Sequence, residues 1–239
     1  MPDISVERVH YGFIIAPEGS PNAGQPIPVV GYLVRHPDAL FLFDTGFAPI
    51  DAATRDAYHP QAVNVEQALA GLGVRPSDID VVANCHLHAD HGGGNAAFPG
   101  TPIYVQGPEL EAAGQPGYTN PAGTHDFPGA TLEVIDGEAE PLPGIRILPT
   151  PGHSPGHQSL AVSTGSGWLI LAGQAFTTAS EFGFALFSDR LVRAGKPSIG
   201  TVPDWMERVV ALDPSRVYFA HDLLVHERDT ASLGNAEPI

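Results

Sequence analysis

Three histidines and one aspartate lie within six residues, in the segment His-Leu-His-Ala-Asp-His at residues 86–91. The apolar run 79–83 precedes this segment and three glycines, 92–94, follow it, which indicates a buried strand that ends in a tight turn. Imidazole nitrogens and carboxylate oxygens are ligands that zinc prefers, and iron, manganese and cobalt also accept them. The segment therefore predicts a metal site at the end of a strand.

Two later histidines also follow strand-like runs. Residues 145–148 lead into Thr-Pro-Gly-His at 150–153, and residues 217–219 lead to His221. Proline and glycine favour a rigid turn that can project one side chain. We expect His153 to complete a first metal site with His86 and His88, and His221 to join a second. His157 is expected to form a hydrogen bond near the site rather than to bind metal.

The remaining pattern predicts a layered α/β architecture with mixed sheets. The expected hairpin of two buried strands is 29–34 with 40–43, the expected helices are 65–72, capped by Asn64, and 203–212, capped by Thr201, and further strands are expected at 103–105, 159–162 and 168–171. Two Gly- and Pro-rich stretches, 16–28 and 113–130, are interpreted as irregular loops at the mouth of the site, with Tyr118 as a wall residue. The apolar run 182–187 is interpreted as core packing, with contact to an acyl chain or to a partner subunit as the alternatives.

Composition limits the function classes. Twenty-seven acidic residues against 11 basic ones give a formal charge of −16, which repels phosphate backbones and anionic lipids. We therefore expect a small-molecule substrate, no nucleic-acid partner and no membrane partner.

No leader peptide or apolar run of membrane-spanning length is evident, which predicts a cytoplasmic protein. The 239 residues are expected to form a single domain, 1–239. Cys85, the only cysteine, is expected to point away from the histidines into the core.

These motifs, together with Asp-Thr-Gly at 44–46 after the 40–43 strand, resemble the metallo-β-lactamase superfamily over residues 29–222. The resemblance implies an αββα sandwich of two mixed β-sheets flanked by helices, with the metals at one edge of the sheets. Within the superfamily, the run His91-Gly-Gly-Gly-Asn95 and the segment His-Ser-Pro-Gly-His-Gln-Ser at 153–159 look like those of N-acyl homoserine lactone lactonases. A homodimer is expected by the same resemblance.

The chain departs from the family pattern at two positions. Gln174 occupies the position of the aspartate that bridges two metals, and a neutral amide is a weaker ligand than a carboxylate. Thr177, with Phe176 beside it, occupies the position of a lactonase tyrosine that would polarise the substrate carbonyl. The expected metal ligands are His86, His88, Asp90, His91, His153, Gln174 and His221. They are expected to hold two zinc ions, the second less tightly, and an effectively mononuclear site is the alternative. Iron, manganese or cobalt are alternatives to zinc.

The resemblance implies a metal-dependent hydrolase that opens a lactone or ester, with an N-acyl homoserine lactone as the first expectation. The expected reaction is attack by metal-bound hydroxide, with Asp90 as the catalytic proton shuttle to the leaving alkoxide. Three alternatives remain open: a thioesterase or arylesterase of the same fold, a mono-iron oxidoreductase of the persulfide dioxygenase type, and a degenerate member that binds metal without turnover.

Overall fold

The computed structural model describes residues 4–20, 22–50, 52–118 and 124–228. The strands, numbered along the chain, are β1 (Ser5–Ile15), β2 (Pro26–His36), β3 (Ala39–Phe43), β4 (Gln61–Ala62), β5 (Val81–Ala83), β6 (Pro102–Gln106), β7 (Thr131–Ile135), β8 (Ala139–Leu142), β9 (Ile145–Pro149), β10 (Gln158–Thr164), β11 (Gly167–Leu171), β12 (Arg216–Tyr218) and β13 (His226–Glu227). The α-helices are α1 (Ala52–Tyr58), α2 (Val65–Ala70), α3 (Gly107–Ala113), α4 (Ala179–Arg193) and α5 (Met206–Ala211).

The strands form two sheets. The first has the order β4-β1-β2-β3-β5-β6-β7 and the second has the order β13-β12-β11-β10-β9-β8. Both sheets are mixed, because β3, β5, β6 and β7 run parallel in the first and β11 runs parallel to β12 in the second, while the other pairs are antiparallel. The expected hairpin of β2 and β3 is confirmed.

Alternation of apolar side chains along the strands produces the layers. On β3, Phe41 and Phe43 face the core between the sheets, while Leu42 faces the outer core that contains α2. On β10, Leu160 lies in the central core and Ala161 lies in a third core with α4 and α5. The order of layers is therefore helix, sheet, sheet, helix, and the predicted αββα sandwich is confirmed.

The longest strand pair was not predicted as such. β1 pairs with β2 along nearly its whole length, and β2 begins at Pro26, so the interpretation of 16–28 as entirely irregular is wrong. A register shift between His10 and Gly12 interrupts the two-residue alternation of β1. The bulge explains why periodicity alone did not indicate this strand.

The helices of the second sheet also differ from expectation. α4 was not predicted, and α5 begins at Met206 rather than 203, without a side-chain cap from Thr201. The capping signal of α4 was present in the sequence, because Thr178 accepts a hydrogen bond from the N–H of Glu181 at 3.2 Å. None of the helices that the structure describes is long and apolar enough to cross a membrane.

Candidate metal centre

The predicted ligands converge because each follows the carboxyl end of a strand. Residues 86–91 follow β5 in the first sheet, whereas His153, Gln174 and His221 follow β9, β11 and β12 in the second. The two sheets pack face to face, so these strand ends meet at a common edge.

A first group consists of His86, His88 and His153, whose ligand atoms lie within 4.8 Å of one another. The Nε2 atom of His153 is 3.1 Å from Nδ1 of His88, and the buried Nε2 atom of His86 has no hydrogen-bond partner. Burial is the main cause that lowers the pKa of His86 and of His88, and burial followed by repulsion from His88 lowers that of His153 to about 4. All three imidazoles are therefore neutral near pH 7 and offer nitrogen lone pairs.

A second group consists of Asp90, His91 and His221. The two Nε2 atoms of the histidines are 3.1 Å apart, and Oδ2 of Asp90 is 3.6 Å from each. Burial acts to raise the pKa of Asp90, but attraction to His91 and His221 lowers it overall, so the carboxylate is charged. The Asp90 side chain is 23% exposed, so this group is open to solvent through Asp90.

The backs of the second-group rings are held by oxygen acceptors. Nδ1 of His91 lies 3.1 Å from Oδ2 of Asp44, and Nδ1 of His221 lies 2.8 Å from the carbonyl oxygen of Pro28. A histidine held in this way presents Nε2 to a metal. Burial lowers the pKa of His91, but Asp90 and Asp44 together raise it to about 9, so metal binding at this ring must displace a proton.

Gln174 lies beside the second group, close enough to His91 to contribute to the raised pKa of that ring. Its backbone N–H donates to Nε2 of His157 at 3.0 Å, and Nδ1 of His157 is 2.8 Å from the Thr150 hydroxyl. His157 therefore forms the expected hydrogen bonds next to the site. Gly173 has φ +57° and approaches so closely that a Cβ there would lie 2.4 Å from Cβ of Cys85.

Cys85 is a core residue as expected, but the expectation that it points away from the histidines is wrong. Its side chain is buried in the central core, but its sulfur also lies 3.1 Å from Nδ1 of His86 and 3.3 Å from Nδ1 of His91. β5 ends at Ala83, so strand alternation no longer determines where residue 85 points. Burial raises the pKa of the thiol, which therefore remains protonated.

The second departure from the family pattern is also visible in the structure. Phe176 packs edge-to-face on Phe182 and Trp205 in the third core, and the N–H of Thr177 donates to Glu181. The phenol next to the first group is instead Tyr118, whose ring centroid is 4.6 Å from that of His88. A cavity of about 320 Å³ lies there, lined by His88, Ala112, Gln115, Gly117, Tyr118, His153, Ser154 and Pro155.

The donor set fits a divalent metal. Neutral imidazoles, a charged carboxylate and a buried imidazole nitrogen without a partner are brought together, and a cation would satisfy all of them. The sequence pattern indicated Asp44 only as part of a family motif, without its supporting role, and did not indicate the supporting carboxylate Glu109. Asp44 could have been found from its position at a strand end, whereas Glu109 lies in an ordinary helical segment and carried no signal.

The fold and this donor set agree with the comparisons with known proteins. The family model described as "Metallo-beta-lactamase superfamily" matches residues 24–221. The chain belongs to the metallo-β-lactamase superfamily and is a metal-dependent hydrolase. Membership implies a divalent metal.

Several relatives are N-acyl homoserine lactonases. The chain is 30% identical over 213 residues to one from Bacillus cereus and 31% identical over 215 residues to one from Bacillus thuringiensis, with 82% of each chain covered in both cases. It also resembles a solved structure of a B. thuringiensis protein with N-decanoyl-L-homoserine bound at the active site. That match has a TM-score of 0.73 and 26% identity, and covers 93% of this chain and 94% of the other.

Proposed function

We propose that the protein is a zinc-dependent lactonase that opens N-acyl homoserine lactones or closely related lactones. His86, His88 and His153 hold one zinc ion, and Asp90, His91, His221 and Gln174 hold a second, weaker one. The observation that carries the proposal is a pair of adjacent donor groups. The first group consists of three neutral imidazoles, and the second group includes a carboxylate. The lactonase relatives support the substrate class.

A bound zinc ion would supply a water of lowered pKa and polarise a carbonyl oxygen. Asp90 is suited to move the proton, because its carboxylate is charged and its side chain is 23% exposed. We propose that Oδ2 of Asp90 accepts a proton from the attacking water and passes it to the leaving alkoxide. The cavity beside His88 and Tyr118 would receive part of the substrate.

The test measures hydrolysis by the zinc- and cobalt-loaded protein, with proton release as the readout. The substrates are short- and long-chain N-acyl homoserine lactones, simple lactones, aryl esters and thioesters. We expect lactone opening that chelation abolishes and added zinc restores. His86→Ala should lose at least 100-fold in kcat/KM, since a ligand of the first group is removed, whereas His10→Ala, an exposed histidine on β1, should be unaffected. Metal-independent hydrolysis, or full activity of His86→Ala, would contradict the proposal.

One observation favours a second candidate, an esterase of the same fold with a different acyl substrate. The lactonase tyrosine position is Thr177, and its neighbour Phe176 is engaged in core packing. Tyr118 does not simply take the place of the lactonase tyrosine. Its hydroxyl already accepts a hydrogen bond from the N–H of Leu87 and donates one to Glu109. Activity on aryl esters or thioesters in the same panel, with none on the lactones, would establish this alternative.

A further inference from the structure

Glu109 is an acidic residue that the proposed reaction does not use. Its side chain is completely buried next to the first group. It lies on α3, which begins directly after β6. An unpaired buried carboxylate is costly, so the structure must supply hydrogen-bond donors for it. Four donors surround it, and three of them come from the two loops that carry the histidines of the first group.

Each carboxylate oxygen of Glu109 is bonded to one ligand-bearing loop. Oε1 accepts from the backbone N–H of Leu87 at 3.0 Å and from the Tyr118 hydroxyl. Oε2 accepts from the Ser154 hydroxyl at 2.6 Å and from the backbone N–H of Gly156 at 3.1 Å. Leu87 lies between His86 and His88, and Ser154 directly follows His153. The carboxylate therefore joins the backbones that carry all three histidines of the first group.

The loop that contains Gly156 approaches α3 closely. A Cβ on Gly156 would lie 2.2 Å from the backbone nitrogen of Glu109, so a larger residue at 156 would push this loop away from the helix.

Only a carboxylate offers two acceptor oxygens at this point, since an amide presents one oxygen and one donor group. Whichever way an amide is turned here, one of the two backbone N–H groups would face another donor.

We infer that Glu109 is a positioning residue that fixes the spacing of His86, His88 and His153 by accepting hydrogen bonds from both of their loops. The inference rests on the proposed function, in which these histidines hold a metal. Partners that orient metal ligands contribute about 10–100-fold to metal affinity. Glu109 would act in this way although it contacts neither the metal nor the substrate.

The test uses Glu109→Gln, with Glu111→Gln as its matched control, because Glu111 is an exposed glutamate on the same helix. Each variant is also made in a His221→Ala background, in which only the first group remains whole. The measurements are the Co²⁺ dissociation constant, the visible absorption spectrum of the bound Co²⁺, and the melting temperature of the metal-free protein. We expect Glu109→Gln to weaken Co²⁺ binding by about 10–100-fold and to shift the spectrum, while Glu111→Gln changes neither.

A lower melting temperature with unchanged Co²⁺ affinity and spectrum would overturn the inference and leave Glu109 a purely structural residue. If the protein itself binds no Co²⁺, the proposed function fails together with the inference. If it binds Co²⁺ and hydrolyses lactones but Glu109→Gln behaves identically, the inference alone fails.

Should Glu109→Gln not fold, Ser154→Ala gives the answer, because it removes one of the four donors and leaves the carboxylate in place. We expect several-fold weaker Co²⁺ binding in this variant. An unchanged Co²⁺ dissociation constant would contradict the inference.

Discussion

At the scale of single residues, the candidate site depends on side chains that hold the ligands as much as on the ligands. Asp44 has a left-handed backbone with φ 66°, which is uncommon for a residue other than glycine. Oδ1 accepts from the N–H of Cys85 at 2.7 Å, and Oδ2 lies 3.1 Å from Nδ1 of His91. One buried carboxylate thus orients both the chain that enters the candidate metal-binding segment and the His91 ring within it.

Replacing Asp44 by Asn should weaken the second metal more than the first. The change retains one acceptor oxygen but removes the charge that holds the His91 ring, and loss of such a partner costs about 10–100-fold in metal affinity. Zinc content after dialysis should fall from two ions towards one. Asp56→Asn, an exposed aspartate on α1, is the control and should retain both ions. Equal zinc content in the two variants would contradict the assigned role of Asp44.

Replacing Gln174 by Asp should strengthen the second metal. The side chain lies beside His91. A carboxylate there would add a second negative charge to a group in which Asp90 is now the only acidic side chain. We expect at least a tenfold lower zinc dissociation constant at the second site, measured by competition with a chelator. Gln174→Asn is the control, because asparagine has the same length as aspartate but is neutral. A gain in hydrolysis would indicate a decayed site, and a loss would indicate that Gln174 is tuned for the native reaction.

At the scale of elements, α4 shows how a helix resolves an apolar run that the sequence leaves ambiguous. Phe182 is 2% exposed and packs on Phe176 and Phe219, whereas Phe184 and Phe187 are more than half exposed. The 3.6-residue period places these phenylalanines on different faces of the helix. The interpretation of the whole run as core packing is therefore right for Phe182 and wrong for Phe184 and Phe187.

Phe182→Ala and Phe184→Ala form a matched pair that tests this orientation. The first should lower the free energy of unfolding by about 3–5 kcal/mol, because it leaves a cavity in the third core. The second should change it by less than about 0.5 kcal/mol. Urea denaturation measures both, and similar losses in the two variants would show that α4 is rotated relative to this structure.

At the scale of the whole molecule, the candidate centre connects the two sheets. The first sheet contributes His86, His88, Asp90 and His91, while the second contributes His153 and His221. A metal bound by both sets cross-links the layers at one edge. The shared central core joins the same sheets through apolar contacts, so we propose that residues 1–239 unfold as a single domain.

Metal removal should therefore lower the stability of the entire molecule rather than of one loop. With free zinc at 1,000 times its dissociation constant, bound metal contributes about 4 kcal/mol, and each kcal/mol corresponds to about 2–4 °C in melting temperature. Differential scanning calorimetry with and without chelator should show one transition that moves to lower temperature and recovers when zinc is added. Two separate transitions would contradict the single domain, and an unmoved transition would contradict the metal.

By itself, the amino-acid sequence predicted the layered architecture and the main side chains that the structure groups at the candidate site, because both depend on local pattern. A strand end followed by His-x-His-x-Asp-His and glycines is recognisable from neighbours in the chain, as are the hairpin of β2 and β3 and the cap that Asn64 places on α2. The substitution of Gln174 for a carboxylate was equally visible.

Only the tertiary structure decided the features that depend on contacts between distant segments. The bulge of β1, the rotation of α4 and the direction of Cys85 follow from packing. Local sequence pattern did not indicate the first two, and strand alternation gave the wrong direction for Cys85. The role of Glu109 requires α3 to meet two loops that lie 22 and 45 residues away in the chain. Local pattern reports which residues can bind a metal, but hydrogen bonds across the fold determine how those residues are held.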